Sequence, residues 1–215
     1  MAIEILDEHE QSERLRAWLK DNASNMLTGV ALGVAMIAAW NWWQNSRNEH
    51  QTTAAVQFST LTEAASAKES DSVAAIAQSL RTEFADTPYA LLAAMQLARV
   101  KLDAGEPQAA RDALAAVDLS GQNPALAALA ALRIARLDLA LDKPADALAG
   151  LQPISDDLAG LVDEARGDAH AALARPDQAR AAYQKALTVL DAGSPVQRTV
   201  QMKLDNLGVA AKPEA

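Results

Sequence analysis

The sequence predicts an all-α chain in which one transmembrane helix precedes a solenoid of helical hairpins closed by a C-terminal capping helix. Three observations carry that expectation. Residues 26–43 (MLTGVALGVAMIAAWNWW) run 18 positions without a charge. Prolines at 107, 144 and 176 lead three segments that agree at several offsets. No stretch reads as a strand, in a chain that is 50% hydrophobic but only 4% aromatic. Alanine must then be the main packing residue, and alanine-rich helices approach one another closely with little propensity penalty.

Residues 1–25 read as a short acidic tail and 26–43 as the membrane span. At roughly 1.5 Å per helical residue the uncharged run covers about 27 Å, close to the roughly 30 Å hydrocarbon core of a bilayer. Trp40, Trp42 and Trp43 crowd one end, Trp18 and Lys20 lie beyond the other, and Asn41 falls at interfacial depth, as side chains that favour the headgroup level should. A cleaved signal peptide fits poorly, because the 25 preceding residues are rich in Glu and Asp and no small-x-small site follows Trp43. With no cysteine in the sequence, bacterial-type lipidation and disulfides are excluded, and this helix is the expected anchor. Arg14, Arg16 and Lys20 precede the span and only Arg47 follows closely, a bias that puts the N-terminus in the cytoplasm. Glu4, Asp7, Glu8, Glu10 and Glu13 do not oppose this, since topology hardly responds to carboxylates. In a bacterium the expected location is the inner membrane, single-pass, with the C-terminal domain periplasmic. Gly29 and Gly33 form a G-x-x-x-G within the span, and Ala31 and Ala35 are read as extending its small face; Gly29, Gly33 and Ala35 are the candidate membrane-helix interface, for a partner helix or a second copy.

Residues 44–208 are expected to form the helical domain. The net charge of −9 is shared, with three basic and six acidic residues in 1–25 and 16 basic and 22 acidic in 44–215. An acidic domain without a basic stripe argues against nucleic acid and against docking on anionic lipid. Residues 48–84 look like a degenerate first hairpin, its second half amphipathic through Val73, Ile76, Leu80 and Phe84. Three repeats follow at about 89–118, 125–155 and 160–190. Three residues after each proline stands Ala110, Ala147 or Ala179; seven after, Leu114, Leu151 or Tyr183; ten after, Val117, Ile154 or Ala186; nine before, Ala98, Ala135 or Gly167. Small residues at a close helix crossing, a large residue one turn on and proline opening the second helix make the pattern of tetratricopeptide repeats, whose usual period of about 34 lies between the two spacings here. Turns are expected at Ala104-Gly105, Leu141-Asp142 and Ala174-Arg175. Ser194-Pro195 opens a cap at 194–208 through Val196, Val200, Met202, Leu204 and Leu207, and 209–215 read as a frayed tail.

In such a solenoid the first helix of each repeat lines a concave groove. Counting from residues 98, 135 and 167 places Leu92, Met95, Arg99 and Leu102, then Leu129, Leu132, Arg136 and Leu139, then Leu161, with Glu164 and Asp168, along it. A groove this apolar, with Arg99 and Arg136 as its expected cations, suits an apolar or extended polypeptide with a few carboxylates. The alternative is that the protein's own first or last helix fills it. Asp138 stands where the repeat usually has an aromatic.

Enzymatic chemistry finds no support. His9, His50 and His170 lack metal spacing, there is no thiol, and neither a glycine-rich phosphate loop nor a nucleophile elbow occurs. Glu164 and Asp168 share a helical face, but His170 lies about 200° round from Asp168 and reads as packing. No catalytic residue, metal or cofactor is expected.

The chain resembles the YfgM family of single-span periplasmic tetratricopeptide proteins, ancillary subunits of the SecYEG translocon. The likeness runs through the acidic start, the GVALGV anchor with tryptophans after it, Tyr89-Ala90-Leu91-Leu92-Ala93 leading to Gln96-Leu97-Ala98, Leu132-Arg133-Ile134-Ala135-Arg136, Arg166-Gly167-Asp168, Ala179-Arg180-Ala181-Ala182-Tyr183 and Met202-Lys203-Leu204-Asp205-Asn206-Leu207. The resemblance implies association with SecYEG and with a PpiD-type periplasmic chaperone, and a part in passing secreted polypeptides to periplasmic chaperones. It brings no catalytic residues. The competing expectation is a structural or regulatory membrane scaffold that self-associates or acts through its cytoplasmic tail.

Overall fold

A computed structural model describes residues 5–151 and 158–210, with side chains over 12–151 and 158–207. Its helices are α1 (Ile5–Ser66), α2 (Ser70–Glu83), α3 (Pro88–Asp103), α4 (Pro107–Ala115), α5 (Pro124–Ala140), α6 (Pro144–Gly150), α7 (Ala159–Ala172), α8 (Pro176–Val189) and α9 (Pro195–Ala210). No strand occurs among the described residues. The fold is all-α, an apolar helix followed by stacked helical repeats and a capping helix. The chain divides into two compact units, residues 1–50 and 51–215.

The first unit is the greater part of α1. Its most apolar 18-residue window has no buried residue, and Leu27, Val30, Leu32, Val34, Met36 and Ile37 are all exposed. Apolar surface of that extent is costly in water and matched to a bilayer interior. At the tryptophan end the Trp40 and Trp43 rings have centroids 5.2 Å apart, and the Arg47 guanidinium stands 5.2 Å above the Trp43 ring in cation–π contact. Because α1 is a regular helix, Ala31 and Ala35 stand about 200° round the axis from Gly29 and Gly33. The glycines and the alanines thus stand on different sides of the helix.

In the second unit the helices pair as hairpins. Ala54, Leu61 and Ala64 of α1 pack on Val73, Ala77 and Leu80 of α2, with Phe84 and Ala93. Leu91, Met95 and Ala98 of α3 pack on Ala110 and Leu114 of α4. Leu132 and Ala135 of α5 meet Ala147, Leu151 and, from α7, Val162 and Ala169. Ala179, Tyr183 and Ala186 of α8 close on Val200 of α9.

Four hairpins turn the same way. Lys68 (φ 61°), Gly105 (78°), Asp142 (60°) and Ala174 (55°) each adopt the left-handed conformation two residues before the second helix. In each turn the next N–H bonds five residues back: Glu69 to Ala64, Glu106 to Lys101, Lys143 to Asp138 and Arg175 to His170, at 2.8–2.9 Å. This is the Schellman closure, which satisfies carbonyls left free at a helix end. Only one of the four positions is glycine, so three residues bear the αL cost.

Proline opens six helices, α3, α4, α5, α6, α8 and α9, at a position whose N–H would go unused. It also holds the preceding residue out of the helical region, as at Thr87 (ψ 155°) and Glu106 (ψ 67°). Ser194 caps α9 by accepting from the Gln197 N–H at 3.1 Å, while the Gln197 side chain accepts from the Gly193 N–H at 2.7 Å. That is a capping box displaced by one residue. Val209 and Ala210, expected in the frayed tail, belong to α9, while 211–215, residues 1–4 and Ile154 of the repeat alignment lie outside the described residues.

The third repeat departs from the first two at its crossing. Ala98 faces the cluster of Leu114, and Ala135 that of Leu151, but Gly167 faces Tyr183. A methyl at Gly167 would overlap the Tyr183 ring. The larger aromatic requires the smaller partner.

Candidate functional site

A cavity of about 460 Å³ opens between α3 and α5. Its floor is apolar, built from Met95, Ala98, Leu102, Leu114, Leu137 and Ala140, and Arg99, Asp103, Arg133 and Arg136 stand round it. The helical period explains the set: 95, 98, 99 and 102 are successive positions of one face of α3, and 133, 136, 137 and 140 of one face of α5. Asn123 fixes the start of α5, its side chain accepting from the Ala125 and Leu126 N–H groups at 3.0 and 3.4 Å.

Of the groove residues expected from sequence, Met95, Arg99, Leu102 and Arg136 line this cavity. Leu132 is 1% exposed and sits in the core with Leu151 and Val162, and Leu139 and Leu161 pack against that same cluster. Leu129 packs on the neighbouring core of Leu91 and Leu137, and Leu92 is half-buried outside the cavity. Arg99 and Arg136 are the cations expected in the groove, and Arg133 stands beside them in the lining of this cavity.

Further along, the chain fills the face itself. Arg136 Nη2 donates to Glu164 Oε2 at 3.0 Å, and Lys203 Nζ of α9 reaches Glu164 Oε1 at 2.9 Å and Asp168 Oδ2 at 2.7 Å. Burial works to lower the Lys203 pKa, but the hydrogen bonds to Asp168 and Glu164 outweigh it and the net shift is upward. Tyr183 donates its hydroxyl to Asp168 Oδ1 at 2.7 Å, and burial first, then Asp168, raises its phenol pKa far above the ordinary value. The last helix thus occupies the α7 part of the face, while the α3–α5 part stays open.

Two further charged contacts are structural. Asp138, at the repeat's aromatic position, is 2% exposed and accepts from Arg111 Nε of α4 at 2.9 Å. That hydrogen bond raises the Arg111 pKa against the opposing effect of burial. Buried Asp163 takes Arg166 at 2.9 Å and Lys185 at 3.1 Å. Sequence patterns gave no sign of Lys203, which reaches its partners across 35 and 39 residues.

Among the described residues no group of three or more His, Cys, Asp or Glu side chains can hold a metal ion. His170 is half-buried on α7 with Nδ1 unpartnered, and burial, then Arg175 and Arg166, lowers its pKa. The His9 side chain lies outside the described residues.

Residues 16–209 match the family model of the tetratricopeptide repeat-like domain. The chain is 28% identical over 206 residues to a protein of Escherichia coli (strain K12) named ancillary SecYEG translocon subunit, and 26% identical to proteins of the same name from Haemophilus influenzae and Neisseria gonorrhoeae. Each alignment covers 94% of this chain and 98% of the relative. The chain therefore belongs to the tetratricopeptide repeat-like domain family and is similar, nearly end to end, to the ancillary SecYEG translocon subunits that its YfgM resemblance implied.

Proposed function

We propose that this chain is a membrane-tethered adaptor at the SecYEG translocon, which contacts partner proteins through the α3–α5 face and helps pass secreted polypeptides to periplasmic chaperones, a PpiD-type chaperone among them. The observation that carries the reading is the open apolar cavity between α3 and α5, on a fold without a metal-binding cluster among its described residues. The names of the relatives supply the place of action. The charge bias of Arg14, Arg16 and Lys20 over Arg47 supports a cytoplasmic N-terminus and a periplasmic domain at the inner membrane.

The tether has a physical role here. Confinement to a layer at the membrane raises the effective concentration of the domain toward membrane partners to about the millimolar range of short linkers. Weak individual contacts then suffice. Removing residues 1–43 tests this: translocon subunits should no longer co-purify although the helical domain keeps its circular dichroism, and unchanged recovery would contradict tether-assisted assembly. A scaffold acting by self-association is a second reading, motivated by the G-x-x-x-G spacing of Gly29 and Gly33 within the apolar span. Leucine at both positions should abolish dimers in that case, and an unchanged oligomer size would dismiss it.

A further inference from the structure

The repeat register shows that one charged contact is missing from the domain. Arg99, Arg136 and Asp168 occupy the same place in successive repeats, eight residues before the proline that opens the second helix. Arg136 is paired with Glu164, which stands twelve residues before the next proline. Asp168 is paired with Lys203 of the capping helix. The residue that should answer Arg99 by the same rule is Leu132, which has no charge and is buried in the core. Arg99 therefore has no internal counterpart of the kind its two equivalents have.

Arg133 adds a second cation at the same spot. Arg99 and Arg133 are exposed, and neither has an acidic partner among the described residues; Asp103, on the same cavity wall, is in ion-pair contact with neither. The cavity lining thus holds three arginines and one aspartate, a local excess of positive charge on a stretch, residues 44–215, that has 22 acidic and 16 basic residues. Guanidinium groups bind carboxylates in a fork, and the apolar floor between them has room for a leucine-sized side chain.

We propose that the α3–α5 cavity binds an extended segment of a partner protein that places a large apolar side chain on Met95, Leu102 and Leu137 and an adjacent aspartate or glutamate between Arg99 and Arg133. This rests on the adaptor reading and names the chemistry its groove selects. The ligand supplies the carboxylate that position 132 withholds.

The test uses the full-length chain in lipid nanodiscs and fluorescein-labelled peptides of Gly and Ser around a central Leu-Leu-Asp, with Leu-Leu-Asn and Ala-Ala-Asp counterparts. The Leu-Leu-Asp peptide should bind, and each counterpart should bind about tenfold more weakly. The R99Q/R133Q variant should lose about tenfold toward Leu-Leu-Asp and nothing toward Leu-Leu-Asn. Equal binding of the Asp and Asn peptides, an equal loss toward both in the variant, or no binding tighter than about 1 mM overturns the proposal. So does a self-crosslink through Leu102 that excess peptide cannot displace, which would make a second copy the occupant. Translocon recovery with the unaltered chain is followed separately: its absence refutes the adaptor reading, whereas its presence beside failed peptide binding refutes only the carboxylate site.

Discussion

Gly167→Ala sets a gain in helix propensity against a collision. Alanine in place of glycine in a helix interior is worth about 1 kcal/mol. The added Cβ, however, would overlap the edge of the Tyr183 ring and stand 2.9 Å from Cζ. The ring is 3% exposed and tied by its hydroxyl to Asp168 at 2.7 Å. It cannot swing aside without weakening a charge-assisted hydrogen bond of about 1.5–3 kcal/mol, and moving α8 instead is overpacking at about 1–3 kcal/mol. After the propensity gain of about 1 kcal/mol is subtracted, the variant should be destabilised by about 0.5–2 kcal/mol. The first two repeats solve the same crossing with Ala98 and Leu114, and with Ala135 and Leu151. Adding Gly167→Ala in the Tyr183→Leu background should therefore cost nothing or stabilise, a coupling of about 1–3 kcal/mol. Urea unfolding of the four proteins of this cycle in non-ionic micelles, followed by far-UV circular dichroism, measures both quantities. A single Gly167→Ala variant as stable as the parent, or more stable, would refute the crossing argument.

Other outcomes follow from the buried charges and the turns. Arg111→Met strands the carboxylate of Asp138 and should cost about 2–4 kcal/mol in the same unfolding assay, while Arg111→Met/Asp138→Leu should recover most of it. Ala174→Gly relieves a left-handed residue and should stabilise by about 0.5–1 kcal/mol, the αL cost less the extra entropy of glycine, whereas Gly105→Ala should destabilise by about 1 kcal/mol. His170 has a folded-state pKa below its unfolded value, so the unfolded chain binds more protons between the two and stability rises with pH there. Thermal midpoints of the parent should fall as pH drops below about 6.5, and His170→Gln should flatten that part of the profile.

Proline made the helical domain legible. Its fixed φ and missing N–H restrict it to first-turn positions, so Pro107, Pro144 and Pro176 announced where helices begin, and Ser194-Pro195 did the same for α9. The turns at 104–105, 141–142 and 174–175 were legible too, but the left-handed conformation of Lys68, Asp142 and Ala174, which sequence associates with glycine, was not; the hydrogen bonds of Glu69, Lys143 and Arg175 five residues back close those turns. The groove was half legible. Face periodicity singled out Met95, Arg99, Leu102 and Arg136, which line the cavity, but whether a position on a face stays open depends on what the next hairpin covers. Leu132 is covered by α7, and Arg133, one position along, is not. The latch of Lys203 on Glu164 and Asp168 joins helices far apart in sequence, and no local pattern carries it.

The central claim is that the α3–α5 face contacts other proteins while the domain is tethered at the membrane. Photo-crosslinking in intact cells, with probes at Leu102 and Arg133 beside the cavity and a control at Gln184, exposed on α8, tests it most directly. The account predicts adducts to translocon subunits, a periplasmic chaperone or an exported chain from the two cavity positions and none from the control. Adducts of equal yield from Gln184, or none from Leu102 and Arg133, would contradict it.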